Sequence, residues 1–394
     1  MLTPASPHAS TPKSTPAAAT ISVADLRRWR LNSQSLASGT ADVVAGGVAG
    51  AVAATQRLLA VQAQDYPASK WALGARSPGT TAAHVEEALN TGLIVRSWPM
   101  RGTLHLVPAH DLHWMLRLST RRLVIGAKTR QAQLGLTEQI LEAARALAVD
   151  ALTGGRELSR ADFLALLESR GIDTGEQRGY HLIWFLAQTG TLCWGRQVGT
   201  QQVLVLLDEW VPDARTLEGD EALGEFALRY FTGHGPATLA DFAGWSQLTL
   251  TDARIGLAVA RQDLVEFSVD GVSHFLLARY DTGTRPRQRS AIMLLPGFDE
   301  YFLGYRDRSA VIGPADEQRV TPGKNGIFRP LVVFEGRIIG TWRKRASAGA
   351  IRVTAELFRS FTGRQQAGLR RCVLDYGRFL GVEPILVPAP AAPS

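Results

Sequence analysis

Two glutamines stand two residues apart in the segment QAQDYP, as Gln62 and Gln64, with Asp65 directly after them. Side chains at i and i+2 point to the same side of an extended backbone, and the Tyr-Pro pair that follows favours a helix boundary here. Two amides on one side can hold a water molecule and turn their oxygens toward a developing positive charge. Asp65 is a second candidate, either as a base or as the N-cap of the next helix. Taken alone, the two amides are more typical of a helix end at the surface.

A second polar cluster lies in the segment PGFDEYFLGYRDRS. Its adjacent carboxylates, Asp299 and Glu300, resemble an acid pair, but neighbours in a strand point apart, so the pair is weak. Arg306 and Arg308 follow on a polar turn, where they can contact phosphate or form a solvated turn paired with Asp307.

Histidines at 105, 110 and 113, with Asp111 between them, raise the question of a metal site. His105 lies in a strand of alternating pattern, whereas His110 and His113 begin a helix, and no thiolate supports them. Cys193 and Cys372 are far apart and lack partners at metal-ligand spacing. We therefore predict neither a metal site, a disulfide framework nor a cofactor.

The composition is typical of a globular protein, and its basic charge leaves nucleic-acid binding open. The chain has 394 residues, of which 45% are hydrophobic and 20% charged, with a net charge of +7 and a pI near 9.7. Arginine carries most of the positive charge, and its planar fork binds phosphate in bidentate fashion, although GC-rich coding also enriches arginine. Residues 1–20 look like a disordered tail without signal-peptide features, and no window is apolar enough for a membrane span. The expected location is the cytoplasm, in association with the nucleoid.

Three stretches share one order of elements, namely two helices followed by two short apolar strands joined by a polar turn. Helix starts are predicted at Thr80 or Thr81, at Ser159, and at Thr249 or Thr251. Hairpin turns are predicted at 99–102, at Gly199 and at Asp270-Gly271. This order is typical of winged-helix units, which bind DNA through the second helix and the wing but also serve protein contacts.

The fold class predicted from these elements is α+β, with about three tandem winged helix-turn-helix units and a C-terminal β-rich unit. Beyond residue 280 the pattern changes to short strands, followed by a helix with Leu369, Val373, Tyr376 and Leu380 on one face. The predicted segments are a disordered tail (1–20), three winged-helix units (21–109, 110–215 and 216–280), the β-rich unit with its terminal helix (281–385) and a loose tail (386–394).

The motifs LLAVQAQDYPASKWALGAR, VRSWPMRGTLHLV and LLPGFDEYFLGYRDRS occur in this order along the chain. Together they resemble the AlkZ/YcaQ family of winged-helix DNA glycosylases, over most of residues 22–385. The resemblance implies a C-shaped protein that releases N-alkylated purines and, in some members, unhooks interstrand crosslinks. The family's catalytic Gln-aliphatic-Gln triplet falls on Gln62, Ala63 and Gln64. The Gly/Ala-rich residues 40–54 depart from the family's short helix at this position, and they lack the ending of a phosphate-binding loop.

Amides can suffice for glycosidic cleavage when the leaving base is an alkylated purine, because that base is positively charged. Other glycosidases use a carboxylate pair, one member of which protonates the leaving group. A purine alkylated at N7 or N3 is already cationic and leaves as a neutral base, so the enzyme has to hold water and stabilise the oxocarbenium-like sugar. The expected partner is double-stranded DNA with alkylated or crosslinked bases, bound by a monomer. The candidate DNA contacts are Lys70, Arg96, Arg101, His105, Arg306 and Arg308.

Two alternatives without chemistry remain open at this point: a tandem winged-helix DNA-binding regulator and a structural adaptor. The glutamine triplet favours the glycosylase over both. No motif places a lysine as a Schiff-base nucleophile, which favours a monofunctional enzyme that hydrolyses the bond without cutting the strand.

Overall fold

The computed structural model describes residues 18–37, 46–281, 283, 292–324, 326–347, 349–360 and 362–387. Its α-helices are α1 (Val23–Ser33), α2 (Gly47–Leu58), α3 (Tyr66–Gly74), α4 (Ala82–Asn90), α5 (Leu112–Ser119), α6 (Arg121–Gly126), α7 (Lys128–Gln133), α8 (Glu138–Leu152), α9 (Arg160–Ser169), α10 (Arg178–Gln188), α11 (Leu207–Trp210), α12 (Gly219–His234), α13 (Leu239–Ser246), α14 (Leu250–Ala260), α15 (Glu300–Leu303), α16 (Pro314–Val320) and α17 (Gly363–Leu380). Its β-strands are β1 (Ala19–Thr20), β2 (Val61–Gln62), β3 (Ile94–Met100), β4 (Thr103–Pro108), β5 (Leu192–Val198), β6 (Gln201–Leu206), β7 (Leu264–Val269), β8 (Val272–Leu277), β9 (Ile292–Leu295), β10 (Leu331–Phe334), β11 (Arg337–Ser347), β12 (Ala350–Leu357) and β13 (Glu383–Val387). The α+β class is confirmed.

The three predicted hairpins are present as β3–β4, β5–β6 and β7–β8, each antiparallel. Two of them turn on a pair of residues with positive φ. These pairs are Arg101 (57°) with Gly102 (66°) and Asp270 (49°) with Gly271 (80°). Positive φ at both central residues gives the turn a twist that matches the flanking strands, which is why Asp-Gly predicted its position.

The helices that precede the hairpins begin where the capping residues predict. At the starts of α4, α9 and α14, a capping hydroxyl accepts a hydrogen bond from the backbone N–H three residues later. The capping residues are Thr81, Ser159 and Thr249. Such caps satisfy amide groups that have no partner within the helix. Each hairpin therefore follows two helices, as the sequence pattern predicts.

The first two hairpins belong to one five-stranded sheet of order β2-β4-β3-β5-β6. Strand β2 lies at its edge, where Val61 pairs with Leu106 and Gln62 pairs with His105. This pairing attaches the predicted glutamine triplet to the hairpin that carries Arg101.

The C-terminal unit is a five-stranded sheet of order β13-β12-β11-β10-β9, covered by α17. Its buried side chains, including Val332, Trp342 and Tyr376, join one apolar cluster with Trp71 and Leu73 of α3. The two segments therefore share a core, and the C-terminal unit supports the elements around β2. None of the helices described is long and apolar enough to cross a bilayer.

Residues at the inner ends of both predicted tails form strands, so the predicted bounds of the tails are wrong at these residues. Ala19–Thr20 pairs in parallel with β7, and Glu383–Val387 pairs in parallel with β12. Pairing to an existing sheet satisfies the backbone groups of these short segments, and the apolar run Ile385 to Val387 is typical of a strand. The rest of the predicted tails, 1–17 and 388–394, lies outside the described residues.

The Gly/Ala-rich segment has a packing explanation where it is described. Residues 47–54 form the start of α2, while 40–45 lie outside the described residues. A Cβ atom on Gly50 would lie 2.2 Å from the Ser77 hydroxyl oxygen and 2.7 Å from that of Thr80. Small residues here let α2 approach the loop between α3 and α4.

Candidate active site

Gln62 lies in extended backbone, because the helix before it ends a few residues earlier. Helix α2 ends at Leu58, and Leu59 has a positive φ of 63°. The chain then becomes extended as β2, and Ala63 N–H donates to the Leu104 carbonyl at 2.6 Å. The helix boundary predicted at the glutamine segment is confirmed.

The Gln62 side chain lines a cleft of about 450 Å³ between the first hairpin, the end of α13 and the segment after α15. The residues that line it are Gln62, Arg101, Thr103, Gly244, Trp245, Leu303, Tyr305, Arg306, Arg308, Gly326 and Phe328. Four predicted site residues, Gln62, Arg101, Arg306 and Arg308, thus meet in one cleft although they come from distant parts of the chain. No aspartate, glutamate, lysine or cysteine is among these described residues.

Arg101 turns inward from the β3–β4 turn instead of projecting from it. Its Nη2 donates to Gln62 Oε1 at 3.4 Å and lies 2.8 Å from His105 Nε2. The same atom lies 3.7 Å from Glu300 Oε1, and the Arg101 side chain is only 14% exposed. Arg101 thus lies at the turn of the first hairpin, as predicted, but its guanidinium pairs with a buried carboxylate. Its contact with DNA stays a prediction.

His105 lies beneath Gln62 and Arg101 with no exposed surface. We assign the proton to Nδ1, which donates to the Thr103 carbonyl at 2.8 Å, so that Nε2 accepts from Arg101. Burial, assisted by the charge of Arg101, lowers the pKa of His105 to about 3. His105 is therefore a neutral acceptor that orients Arg101. Its predicted contact with DNA stays a prediction.

Glu300 supplies the negative charge behind Arg101 and is itself completely buried. Its Oε2 accepts from Trp245 Nε1 at 2.7 Å and lies 3.3 Å from His234 Nε2. Burial raises the pKa of Glu300, but the hydrogen bond from His234 and the charge of Arg101 outweigh it, and the pKa is about 2. Its Oε1 has no hydrogen bond within the described structure and faces Arg101. This role is not predicted from the sequence, because no local pattern links residue 300 to residue 101.

Asp299 and Glu300 serve different partners. The residues are not in a strand, since Asp299 is the N-cap of α15 and accepts from Tyr301 N–H at 2.8 Å. The Asp299 carboxylate also forms a bidentate pair with Arg76, at 2.8 and 2.9 Å, and both side chains are fully buried. A carboxylate held in this way maintains the structure, and the two acids do not form a glycosidase pair.

Gln64 and Asp65 are not among the described residues that line the cleft, and each accepts a hydrogen bond from a backbone N–H. Gln64 is exposed, and its Oε1 accepts from Leu104 N–H at 2.6 Å. Asp65 Oδ1 accepts from Ala68 N–H at 3.0 Å and caps α3. The two glutamines therefore do not share one target in this conformation, and the N-cap alternative for Asp65 is confirmed.

The sequence profile of the family described as DNA glycosylase AlkZ-like matches residues 55–379. This chain belongs to that family. A curated relative from Streptomyces sahachiroi, an interstrand DNA cross-link repair glycosylase, is 27% identical over 310 residues, covering 73% of this chain and 80% of the relative. The solved structure of Streptomyces sahachiroi DNA glycosylase AlkZ matches the fold with a TM-score of 0.77 at 22% identity, covering 94% of this chain and 100% of that chain.

In this AlkZ-like family member, two predicted DNA contacts are turned onto the protein. Lys70 Nζ pairs with Glu86 and lies 4.8 Å from the centre of the Tyr66 ring. Arg96 donates from Nε and Nη2 to the Ala63 carbonyl at 3.2 and 2.9 Å. Arg96 thus holds the carbonyl of the residue between the two glutamines, and the DNA contacts of Lys70 and Arg96 stay predictions.

Arg306 and Arg308 stand on the opposite wall of the cleft. Arg306 is exposed, and its backbone N–H donates to Asp241 Oδ1 at 2.9 Å, while its guanidinium has no hydrogen bond to the part of the chain that the structure describes. The Arg308 guanidinium lies 4.4 Å from the centre of the Phe302 ring and donates to the Phe302 carbonyl at 3.0 Å. Their role as phosphate contacts stays a prediction, and Arg306 has the freer guanidinium of the two.

The histidines that raised the question of a metal have separate partners. His113 Nε2 lies 2.8 Å from Asp208, whereas His110 Nε2 lies 3.3 Å from Asp111. Asp111 also accepts from Trp114 and pairs with two arginines. The described residues contain no group of three or more potential metal ligands.

Proposed function

We propose that this chain is a monofunctional DNA glycosylase that hydrolyses the N-glycosidic bond of purines alkylated at N7 or N3. One observation carries the proposal: the described lining of the cleft presents an amide and three guanidiniums but neither an acid nor an amine nucleophile. Such a site suits a leaving group that needs no proton and a reaction without a Schiff base. Family membership supports the same assignment.

In the proposed reaction, the glycosidic bond breaks with its electron pair moving to the cationic purine, which leaves as a neutral base. Positive charge develops on the sugar, and Gln62 directs the negative end of its amide dipole toward C1′. Oxygen Oε1 also accepts a hydrogen bond from the attacking water, which adds to C1′ and releases its proton to solvent. Arg101 and Glu300 act as positioning residues, since they hold the Gln62 oxygen in place.

The guanidiniums of the cleft favour the sugar–phosphate part of the nucleotide over the cationic base, because like charges repel. If the base stays outside the cleft, the volume of the cleft does not limit the size of the base. We therefore include crosslinked purines among the proposed substrates, which agrees with the cross-link repair for which the Streptomyces sahachiroi relative is named. We also propose that the three helix–helix–hairpin segments are tandem winged-helix units that bind the duplex as a monomer at the nucleoid.

The charge of the leaving base is expected to decide the rate of excision. Purified protein should release N7-methylguanine from duplex DNA at least about a hundredfold faster than uracil, because a neutral base needs a general acid, and the described lining of the cleft provides none. The measurement is single-turnover excision from two otherwise identical duplexes. Equal rates for the two bases would contradict the proposed mechanism, and the absence of release from either would favour the noncatalytic DNA-binding regulator.

Duplex binding is expected to depend steeply on salt and little on sequence. Arginine–phosphate contacts release counterions, so raising NaCl from about 50 to about 200 mM should weaken binding by more than about tenfold if several phosphates are neutralised. Fluorescence anisotropy with duplexes of several unrelated sequences measures both dependences. An affinity that is flat with salt, or a requirement for one sequence, would instead support the regulator.

A further inference from the structure

Residues 112–137 contain no aspartate or glutamate, although they include Arg117, Arg121, Arg122 and Lys128. These residues form the three consecutive helices α5, α6 and α7 between the first and second hairpins. No acid within the segment balances the positive charges of these helices, and the carboxylate of Asp208 contacts the segment at His113. We call this segment the basic arm.

The cationic side chains of the basic arm face solvent. Arg117, Arg121, Arg122 and Lys128 are all exposed, and no ion pair joins any of them to a carboxylate of the described chain. By contrast, Arg343 pairs with Glu356 at 3.0 Å, and Arg378 pairs with Asp375. A cluster of exposed cations without counter-charges favours a polyanionic partner.

A groove of about 490 Å³ separates α5 and α6 from the turn that follows α10. Arg117 and Arg121 line it together with Ile125, which is 54% exposed, and with Gln188. Gln188 is only 2% exposed, yet its amide nitrogen and oxygen have no hydrogen-bond partner in the described structure. The groove thus offers two cations and an apolar side chain, which suit a phosphate and its adjacent deoxyribose, and it lies over a buried amide without a partner among the described residues.

The basic arm is tied to the cleft through the first hairpin. Ser119 Oγ, at the end of α5, donates to the carbonyl of Pro99, two residues before Arg101. Thr120 Oγ1 donates to the Gln188 carbonyl at 2.8 Å, which joins the arm to the second helix–hairpin segment. A duplex with its lesion at the cleft would therefore run next to the arm.

We propose that the basic arm is a second contact surface for the DNA sugar–phosphate backbone, with Arg117 and Arg121 on either side of a phosphate in the groove. This inference rests on the proposed function for its partner. The arm lies outside the described lining of the catalytic cleft, so it contributes to affinity and leaves the chemical step unchanged.

The test compares Arg117→Gln/Arg121→Gln with the control Arg343→Gln/Arg378→Gln, which removes the same charge from arginines already paired with acids. Binding of a duplex containing N7-methylguanine is measured by anisotropy across a range of NaCl concentrations. The arm variant should bind about tenfold more weakly at low salt. The slope of the logarithm of its affinity against the logarithm of the NaCl concentration, called the salt slope, should become shallower by about two, one for each arginine that no longer neutralises phosphate. The excision rate at saturating enzyme should match that of the unmodified chain, and the control should keep its slope.

Equal slopes for the arm variant and the control would overturn the inference, as would a lower saturating rate with an unchanged slope. Circular dichroism of each variant separates these outcomes from misfolding. If the unmodified chain binds DNA with a steep slope but excises no base, the proposed function fails. A reduced slope in the arm variant would still support the arm in that case.

Discussion

Replacing Gln62 by alanine is expected to slow single-turnover release of N7-methylguanine by about a hundredfold or more, equivalent to about 2.7 kcal/mol of transition-state stabilisation. Gln62 is the amide in the described lining of the cleft, and its oxygen is oriented by Arg101 at 3.4 Å. Duplex affinity and the free energy of unfolding should change little, because the side chain is only partly buried and is not proposed to bind phosphate.

Two further variants make this test specific. Gln262 is an exposed glutamine just after the end of α14, so Gln262→Ala is a matched control that should keep the full rate. Gln64→Ala should also slow release, since it removes the acceptor that holds Leu104 N–H beside β2. A Gln62→Ala protein with the excision rate of the unmodified chain would refute the active-site assignment.

Replacing Glu300 by glutamine is expected to lower both stability and activity. The substitution leaves the Arg101 guanidinium largely buried without its counter-charge, which should cost roughly 3 kcal/mol in the free energy of unfolding. It should also slow excision by about tenfold, because Arg101 then orients Gln62 less well. Urea denaturation and single-turnover kinetics measure the two effects, the latter at a temperature where the variant is folded.

A matched control is Glu157→Gln, which removes the partner of Arg196 in a pair where the arginine is 50% exposed. That change should cost less than about 1 kcal/mol, since solvent screens exposed pairs. A cost for Glu300→Gln no larger than for the control would contradict the proposed role of Glu300. If the Glu300→Gln protein had normal stability and normal activity, Glu300 would have no role in the active site.

The stability difference between the unmodified chain and Glu300→Gln should depend on pH. The folded pKa of Glu300, about 2, lies below its ordinary value of 4.5. The stabilising contribution of the ionised carboxylate is therefore complete above pH 4.5 and is lost as the pH falls toward 2. Denaturation at several pH values should show the difference shrinking across this window, whereas a constant difference would show that the charge of Glu300 is unimportant.

The sequence by itself determined the local structure, because short-range chemistry controls it. Capping hydroxyls predicted the starts of α4, α9 and α14, and the Asp270-Gly271 pair predicted a turn. The exit from helix before Gln62 was also predictable from the residues that follow it. The ordered motifs led to the family that the sequence profile confirms.

Only the tertiary structure decided which side chains form the cleft and which way they face. Arg101 and Glu300 are almost two hundred positions apart, and no local pattern indicates that they meet at 3.7 Å. An arginine in a surface turn is normally expected to face solvent. The Arg101 side chain instead packs inward against Glu300, since an ionised acid inside the protein needs a cation. Burial likewise converts His105 into a neutral support, because desolvation disfavours its charged form.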